Sequence, residues 1–289
     1  MTGKSVLGAA TALVLTVGLA GCSDGDDKKE GQPKDGRDKA SESQTVRAAY
    51  RRTAEADTAR MTLTTQAAAA GESVTARGDG VMDLEEGDSR MTLTAQGQKI
   101  EQRALDGVVY QKAPAEQRSQ LRLPPDKTWM KIDLARLDSS GSGGADGQVS
   151  DPAESFGYAR GVTDRDVTRV GTDTIDGART THYRVKADVE ALAEGDPARA
   201  KALREQLGTS SLPLDMWLDD QGRLRQQTVR LSLRPDSGDA PKQSRTVTST
   251  TTLKFSDFGT EADVEAPAAE DTVDVTGKVA QATKSPGAA

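Results

Sequence analysis

Between Thr58 and Ala113 the chain runs through five short segments in which apolar side chains recur at every second residue. They are "TARMTLTTQA", "SVTARGDGVMDLE", "DSRMTLTAQ", "QKIEQRALDG" and "VVYQKA". A period of two is the signature of a strand with one buried face. The links between these segments are far too short to hold a crossover helix, so neighbouring strands must run antiparallel. Asp106-Gly107, between the fourth and fifth segments, is a two-residue hairpin signal. This meander confines the chain to sheet architectures with one face against a core and one toward water. "ARMTLTTQ" and "SRMTLTAQ" are alike, but a single eight-residue match sets no period and reads as a shared strand pattern.

The rest of the chain extends the same plan. Thr45 to Asp57 places Val46, Ala49, Tyr50, Thr53 and Ala54 on one helical stripe, which predicts an amphipathic helix ahead of the first strand. "TWMKIDL" adds a strand, and "DSSGSGGADGQVS" is a loop too polar to bury. Asp151-Pro152 is an N-cap and first-turn pair that predicts a short helix through "AESFGYARG". "DVTRVGTDTIDG" and "ARTTHYRVKAD" pair around Asp176-Gly177. A helix then follows from Asp188, interrupted at Gly195-Asp196-Pro197 and ended by Gly208. Three more one-faced strands close the pattern: "LPLDMWLDD", "GRLRQQTVRLSLR" and "SRTVTSTTTLKFSDF". The fold class is therefore α+β, an antiparallel sheet with an apolar concave side covered by two or three helices.

The amino-terminal end fixes the destination of the chain. Lys4 precedes an uncharged run from Ser5 to Gly21, a secretory signal that does not belong to the fold. The run is also about long enough to span a bilayer, so an uncleaved anchor is the competing reading. Cys22 is the only cysteine, which excludes an intramolecular disulfide. The polar stretch after it and the Ala, Asp, Glu, Thr and Pro-rich end beyond Gly259 both read as disordered. The organisation expected is a signal at 1–21, a tether at 22–43, a domain at 44–258 with a flexible loop at 138–150, and a disordered tail at 259–289.

Composition narrows the function. The formal net charge is −7, and no basic patch is available for nucleic acid. His182 is the only histidine, which excludes multi-histidine zinc sites, and no H-E-x-x-H is present. Alternation puts His182 with Thr180, Arg184 and Lys186 on the water face of its strand, away from Tyr183 and Val185. The serines of "GTSSLP" and "LDSSGSGG" lack a nucleophile elbow. "KFSDFG" contains a D-F-G, but the other kinase segments are missing. The acid pairs Glu85-Glu86 and Asp219-Asp220 read as solvated turns, and "SDGDDKKE" lacks calcium-loop spacing. No catalytic residue, metal site or cofactor is expected. Trp129 and Trp217 alternate away from their apolar neighbours and are placed at the rim or convex side.

A tetrapeptide near the amino terminus and three later phrases together resemble a known family. Leu19-Ala20-Gly21-Cys22 resembles the lipobox of bacterial lipoproteins. The phrases "LPPDKTWMKIDL", "DVTRVGTDTIDGARTTHYRVKAD" and "LPLDMWLDDQGRLRQQTVRLSL" follow in an order similar to actinobacterial lipoproteins of the LppX/LprAFG type, in the LolA-like superfamily. The resemblance implies a half-barrel of antiparallel strands curled around helices, with an apolar cavity for acyl chains or lipoprotein cargo. It also implies acylation at the Cys22 sulfur, cleavage before Cys22, and anchoring to the outer face of the cell membrane. The candidate cavity wall is Met61, Leu63, Met82, Leu84, Met91, Leu93, Tyr110, Tyr183, Val185, Met216, Leu218, Val229 and Leu231. The same residue types build ordinary cores. A non-enzymatic lipid carrier and an envelope structural or protein-interaction module without a small ligand therefore both remain open, with no protein partner identified.

Overall fold

The computed structural model describes residues 41–69, 71–112, 114, 118–119, 123–139, 162–193, 197–233 and 247–284. The first helix, α1 (Glu42–Ala54), opens three residues before the expected start at Thr45, because Ser41 and Gln44 form a reciprocal capping box. Gln44 N donates to Ser41 Oγ at 3.3 Å, and Ser41 N donates to Gln44 Oε1 at 3.1 Å. Residues 42 and 43, expected in the tether, thus belong to the helix, and Ser43 N is further held by Asp164 Oδ1 at 3.1 Å.

The strands are β1 (Thr58–Ala69), β2 (Glu72–Asp83), β3 (Ser89–Ala95), β4 (Gln98–Leu105), β5 (Val108–Lys112), β6 (Trp129–Asp133), β7 (Val167–Ile175), β8 (Ala178–Asp188), β9 (Ser211–Asp219), β10 (Leu224–Leu233), β11 (Val247–Ser256) and β12 (Thr272–Asp274). They form one open sheet in the order β12-β6-β5-β4-β3-β2-β1-β11-β10-β9-β8-β7. Only the β12–β6 pair is parallel. Two meanders, β1–β6 and β7–β11, therefore meet where β11 returns beside β1, with Met61 opposite Phe255 and Leu63 opposite Leu253. The expected hairpins form at Asp106-Gly107 and Asp176-Gly177, where both residues of each pair take positive φ.

The short helices are α2 (Leu134–Ser139), α3 (Val189–Leu192), α4 (Pro197–Leu207) and α5 (Thr276–Lys284). Helix α1 buries Val46, Ala49, Tyr50 and Thr53 against the concave side. Each large apolar side chain so buried contributes roughly 1.5–3 kcal/mol. Polar contacts set its position along β10. Thr53 Oγ1 accepts from Leu224 N at 2.8 Å, and Tyr50 OH donates to Gln227 Oε1. Of the loop expected at 138–150, residues 138 and 139 close α2, and the remainder lies outside the described residues, as does the helix expected from Asp151.

The expectation of a disordered tail at 259–289 is corrected by the structure. Residues 259–284 return to the domain, add β12 to the edge of β6, and place α5 beside it. Val275 and Met130 are buried together, with Leu123, Ile132, Val273 and Val279 packed against them. The edge of β6 has backbone groups to satisfy, and three valines supply an apolar face for the segment that satisfies them. Asp274 Oδ1 caps α5 by accepting from Thr276 N at 2.9 Å, while Thr276 Oγ1 accepts from Asp133 N at 3.0 Å.

Candidate functional site: the concave apolar face

Antiparallel register puts directly paired residues on the same face of the sheet. Reading across the strands, one concave row is Phe255, Met61, Gly80, Met91 and Gln102, and the next is Tyr183, Met216, Gln227, Leu253, Leu63, Gly78, Leu93 and Ile100. The two glycines of β2 interrupt both rows at corresponding places. At Gly78 a Cβ would lie 2.8 Å from Leu93 Cδ2, and at Gly80 it would lie 2.7 Å from Met91 Cα and collide with the Arg90 carbonyl. Gly80 therefore permits a close approach of β2 to β3 that a side-chain-bearing residue resists, and Gly78 gives its place on the floor to Leu93.

The structure gathers most of the candidate wall into one cluster. Met61, Leu84, Met91, Leu93, Tyr183, Val185, Met216 and Leu218 are buried in it, and Leu63, Met82 and Val229 are partly buried against it. Leu231 shares the face of Val229 two residues further along β10 and is half-buried. Tyr110 is misplaced by the sequence reading. It pairs with Arg103, Arg103 with Arg90, and Arg90 with Val81, a line on the convex face opposite to Met91. In the five-residue segment "VVYQK" one parity holds Val108 and Tyr110 and the other Val109 and Gln111, so the more apolar parity pointed to the wrong inner face. Cys22 lies outside the described residues.

Several wall residues were missed. Phe255, Leu224, Val46 and Tyr50 belong to the same buried cluster, and Ile100 and Leu253 pack against it. The one-faced pattern of Leu253 and Phe255 was visible, but not that β11 lies beside β1. The most accessible part of the apolar face spans β11 to β4, where Leu253, Leu63 and Ile100 remain half-buried and the next row is small: Thr251, Thr65, Ala76 and Ala95. Charged residues make up half or more of the lining of a cavity of about 260 Å³ beside Arg52 and Arg223 and of one of about 390 Å³ beside Arg60 and Arg90.

His182 does sit on the convex face with Arg184, as alternation indicated, but it is not simply solvated. Its ring stacks on Trp217 at 4.2 Å between centroids and 10° between planes, and only 12% of the side chain is exposed. Nε2 lies 2.9 Å from Asp215 Oδ1, and Trp217 Nε1 donates to Asp173 Oδ2 at 2.7 Å. Arg230 and Arg184 also pair with the buried Asp215 carboxylate. Burial acts to raise the Asp215 pKa, and the hydrogen bonds from His182 and Arg230 outweigh it, so the carboxyl is held below its ordinary range. The result is a cross-strand tie of β8, β9 and β10. The nearby Thr228 hydroxyl is engaged with Thr252 at 3.2 Å, not with the imidazole. Trp129, expected at a rim, is buried beneath Arg103, whose guanidinium carbon is 4.8 Å from the ring centroid.

An open, curled antiparallel sheet with a continuous apolar concave face, a helix packed against it and a charged convex face defines an α+β half-barrel. The chain belongs to the family of unknown function DUF7537, whose model matches residues 8–268. It is 29% identical over 172 residues to an uncharacterized 31.2 kDa protein from the rplA-rplJ intergenic region of Streptomyces griseus. That match covers 56% of this chain and 53% of the other, so the chain spans about half the length of this curated relative. Among solved structures it is similar to LprF from Mycobacterium bovis, at 14% identity over 78% of this chain and 96% of that one, with a TM-score of 0.43. It is also similar to the lipoprotein LppX of Mycobacterium tuberculosis, at 15% identity over 76% and 98% of the two chains, with a TM-score of 0.44.

Proposed function

We propose that this is a membrane-anchored, extracytoplasmic, non-enzymatic lipoprotein whose domain binds or carries a lipid or acyl moiety on the concave face. The observation that carries the reading is the apolar row Leu253, Leu63, Leu93 and Ile100, which crosses five strands over the Gly78 floor and retains half-buried side chains at three of those positions. An acyl chain laid along it gains on the order of 0.8 kcal/mol per buried CH₂ without any catalytic group. Anchoring through acylated Cys22 holds the domain at the membrane surface from which such a ligand comes, and two acyl chains suffice for stable attachment.

A second reading, an envelope protein-interaction or structural module with no small ligand, is favoured by one observation: charged residues make up half or more of the lining of the 260 and 390 Å³ cavities, and neither is lined by Leu253, Leu63, Leu93 or Ile100. Lipid uptake separates the two. The Cys22→Ser chain, delipidated and then offered a fluorescent long-chain fatty acid, takes up the probe stoichiometrically under the carrier reading. Leu63→Glu reduces that uptake at least about tenfold, roughly 1.4 kcal/mol. No uptake by the delipidated protein favours the interaction module.

A further inference from the structure

The convex face carries a charge arrangement that neither the fold nor lipid binding requires. Pairing in register lines up Arg60 of β1, Val81 of β2, Arg90 of β3 and Arg103 of β4 on one face. Arg90 and Arg103 are thus direct cross-strand neighbours of like charge, an arrangement that destabilises a sheet unless something neutralises it. Arg103 is neutralised within the chain: its Nη2 lies 2.9 Å from Glu101 Oε1, its Nη1 donates to the Glu265 carbonyl at 2.8 Å, and its guanidinium covers Trp129. Arg60 donates from Nε to Asp257 Oδ2 at 3.0 Å, an exposed pair that engages only one edge of its guanidinium. The exposed Arg90 has no hydrogen-bond or ion-pair partner among the described residues.

The two arginines that flank Val81 line the 390 Å³ cavity together with Asp79, Thr92 and Glu101. Two strand spacings, about 9–10 Å, separate the backbones of Arg60 and Arg90, room for one tetrahedral or planar anion between their side chains. Glu101 is already engaged by Arg103 and Lys112, so its charge is largely offset. Asp79 and Thr92, paired with each other one step further along the strands, supply acceptors for hydroxyl groups beside the anion.

We propose that this convex cavity is a binding subsite for a phosphate ester carrying hydroxyl groups, with the phosphate between Arg90 and Arg60 and the hydroxyls toward Asp79 and Thr92. A soluble polyol phosphate and the headgroup of a phospholipid share this chemistry. The inference is independent of the concave row Leu253, Leu63, Leu93 and Ile100, none of which lines this cavity.

The test titrates the full-length chain in non-ionic detergent, at constant ionic strength, with glycerol 3-phosphate and with submicellar dihexanoyl phosphatidic acid, by calorimetry. The wild type binds saturably, Arg90→Gln binds about tenfold or more weakly, Arg90→Lys recovers part of the affinity, and Lys99→Gln on the same face binds as wild type does. Relief of the like-charge pair also raises the thermal midpoint of ligand-free Arg90→Gln above that of wild type, which shows that the variant is folded. Tighter binding of the phosphatidic acid assigns the site to a headgroup, and equal binding assigns it to a free ester. No saturable binding by the wild type, or equal binding by wild type and Arg90→Gln, overturns the proposal.

Discussion

Among single residues, Gly80 and Gly78 of β2 leave the space that Met91 and Leu93 of β3 occupy. Gly80→Ala brings a methyl group against the Arg90 carbonyl and 2.7 Å from Met91 Cα, where backbone must move. It is expected to lower stability by about 1–3 kcal/mol, read as a shift in the urea midpoint. Gly78→Ala meets only the end of the Leu93 side chain and should cost less. Asp215 gives the fold a pH dependence of definite sign. Its folded pKa lies below the unfolded value of about 3.9, so its stabilisation is full above roughly pH 5 and is lost as pH falls through the folded pKa. Asp215→Asn leaves His182, Arg184 and Arg230 without their carboxylate and should cost about 1–3 kcal/mol at pH 7. The stability difference between variant and wild type should shrink steadily on acidification below about pH 4. A difference that stays constant to pH 2 would contradict this role for the tie.

At the scale of elements, the capping box and the returned tail are the tests. Ser41→Ala removes the N-cap of α1 and should lower stability by about 1 kcal/mol. Deleting residues 272–289 uncovers Met130 and Ile132 and unpairs the β6 edge, and should destabilise the domain or make it aggregate. Unchanged thermal unfolding after that deletion would show that the tail is dispensable. The elements also mark where sequence was informative. The strands of β1–β4 and β7–β11 were legible because each alternates over a full half-buried length, and Asp-Gly pairs mark the β4–β5 and β7–β8 turns. The tail was not legible, because its Ala, Asp and Glu content masked Val273, Val275 and Val279, which bury only once β6 is there to receive them. Likewise "VVYQK" is too short for its alternation to say which face is inner, and Tyr110 was assigned to the wrong one. His182 was placed on the correct face, but its stacking on Trp217 and its contact with Asp215 depend on β9, a strand some thirty residues away.

For the whole molecule, the topology joins two antiparallel meanders through a β1–β11 seam between opposite ends of the domain. Most of the candidate wall was legible as separate strand faces, but its continuity was not, because pairing over nearly the whole domain leaves no trace in local periodicity. The seam brings Leu253 and Phe255 beside Leu63 and Met61 and makes one apolar surface from two. The opposite face is organised by charge, through the Asp215 tie at one end and the arginine line at the other. On the proposed function, the apolar surface receives a lipid or acyl chain from the membrane, and acylation of Cys22 holds the protein there. Native mass spectrometry of the Cys22→Ser chain, exported by an actinobacterial host and measured before and after organic extraction, tests it most directly. A lipid-binding domain shows a discrete added mass that extraction removes and that returns when the extract is added back. A bare polypeptide mass before extraction, with no uptake on adding lipid, would mean that the concave face is only a core and that the protein is not a lipid carrier.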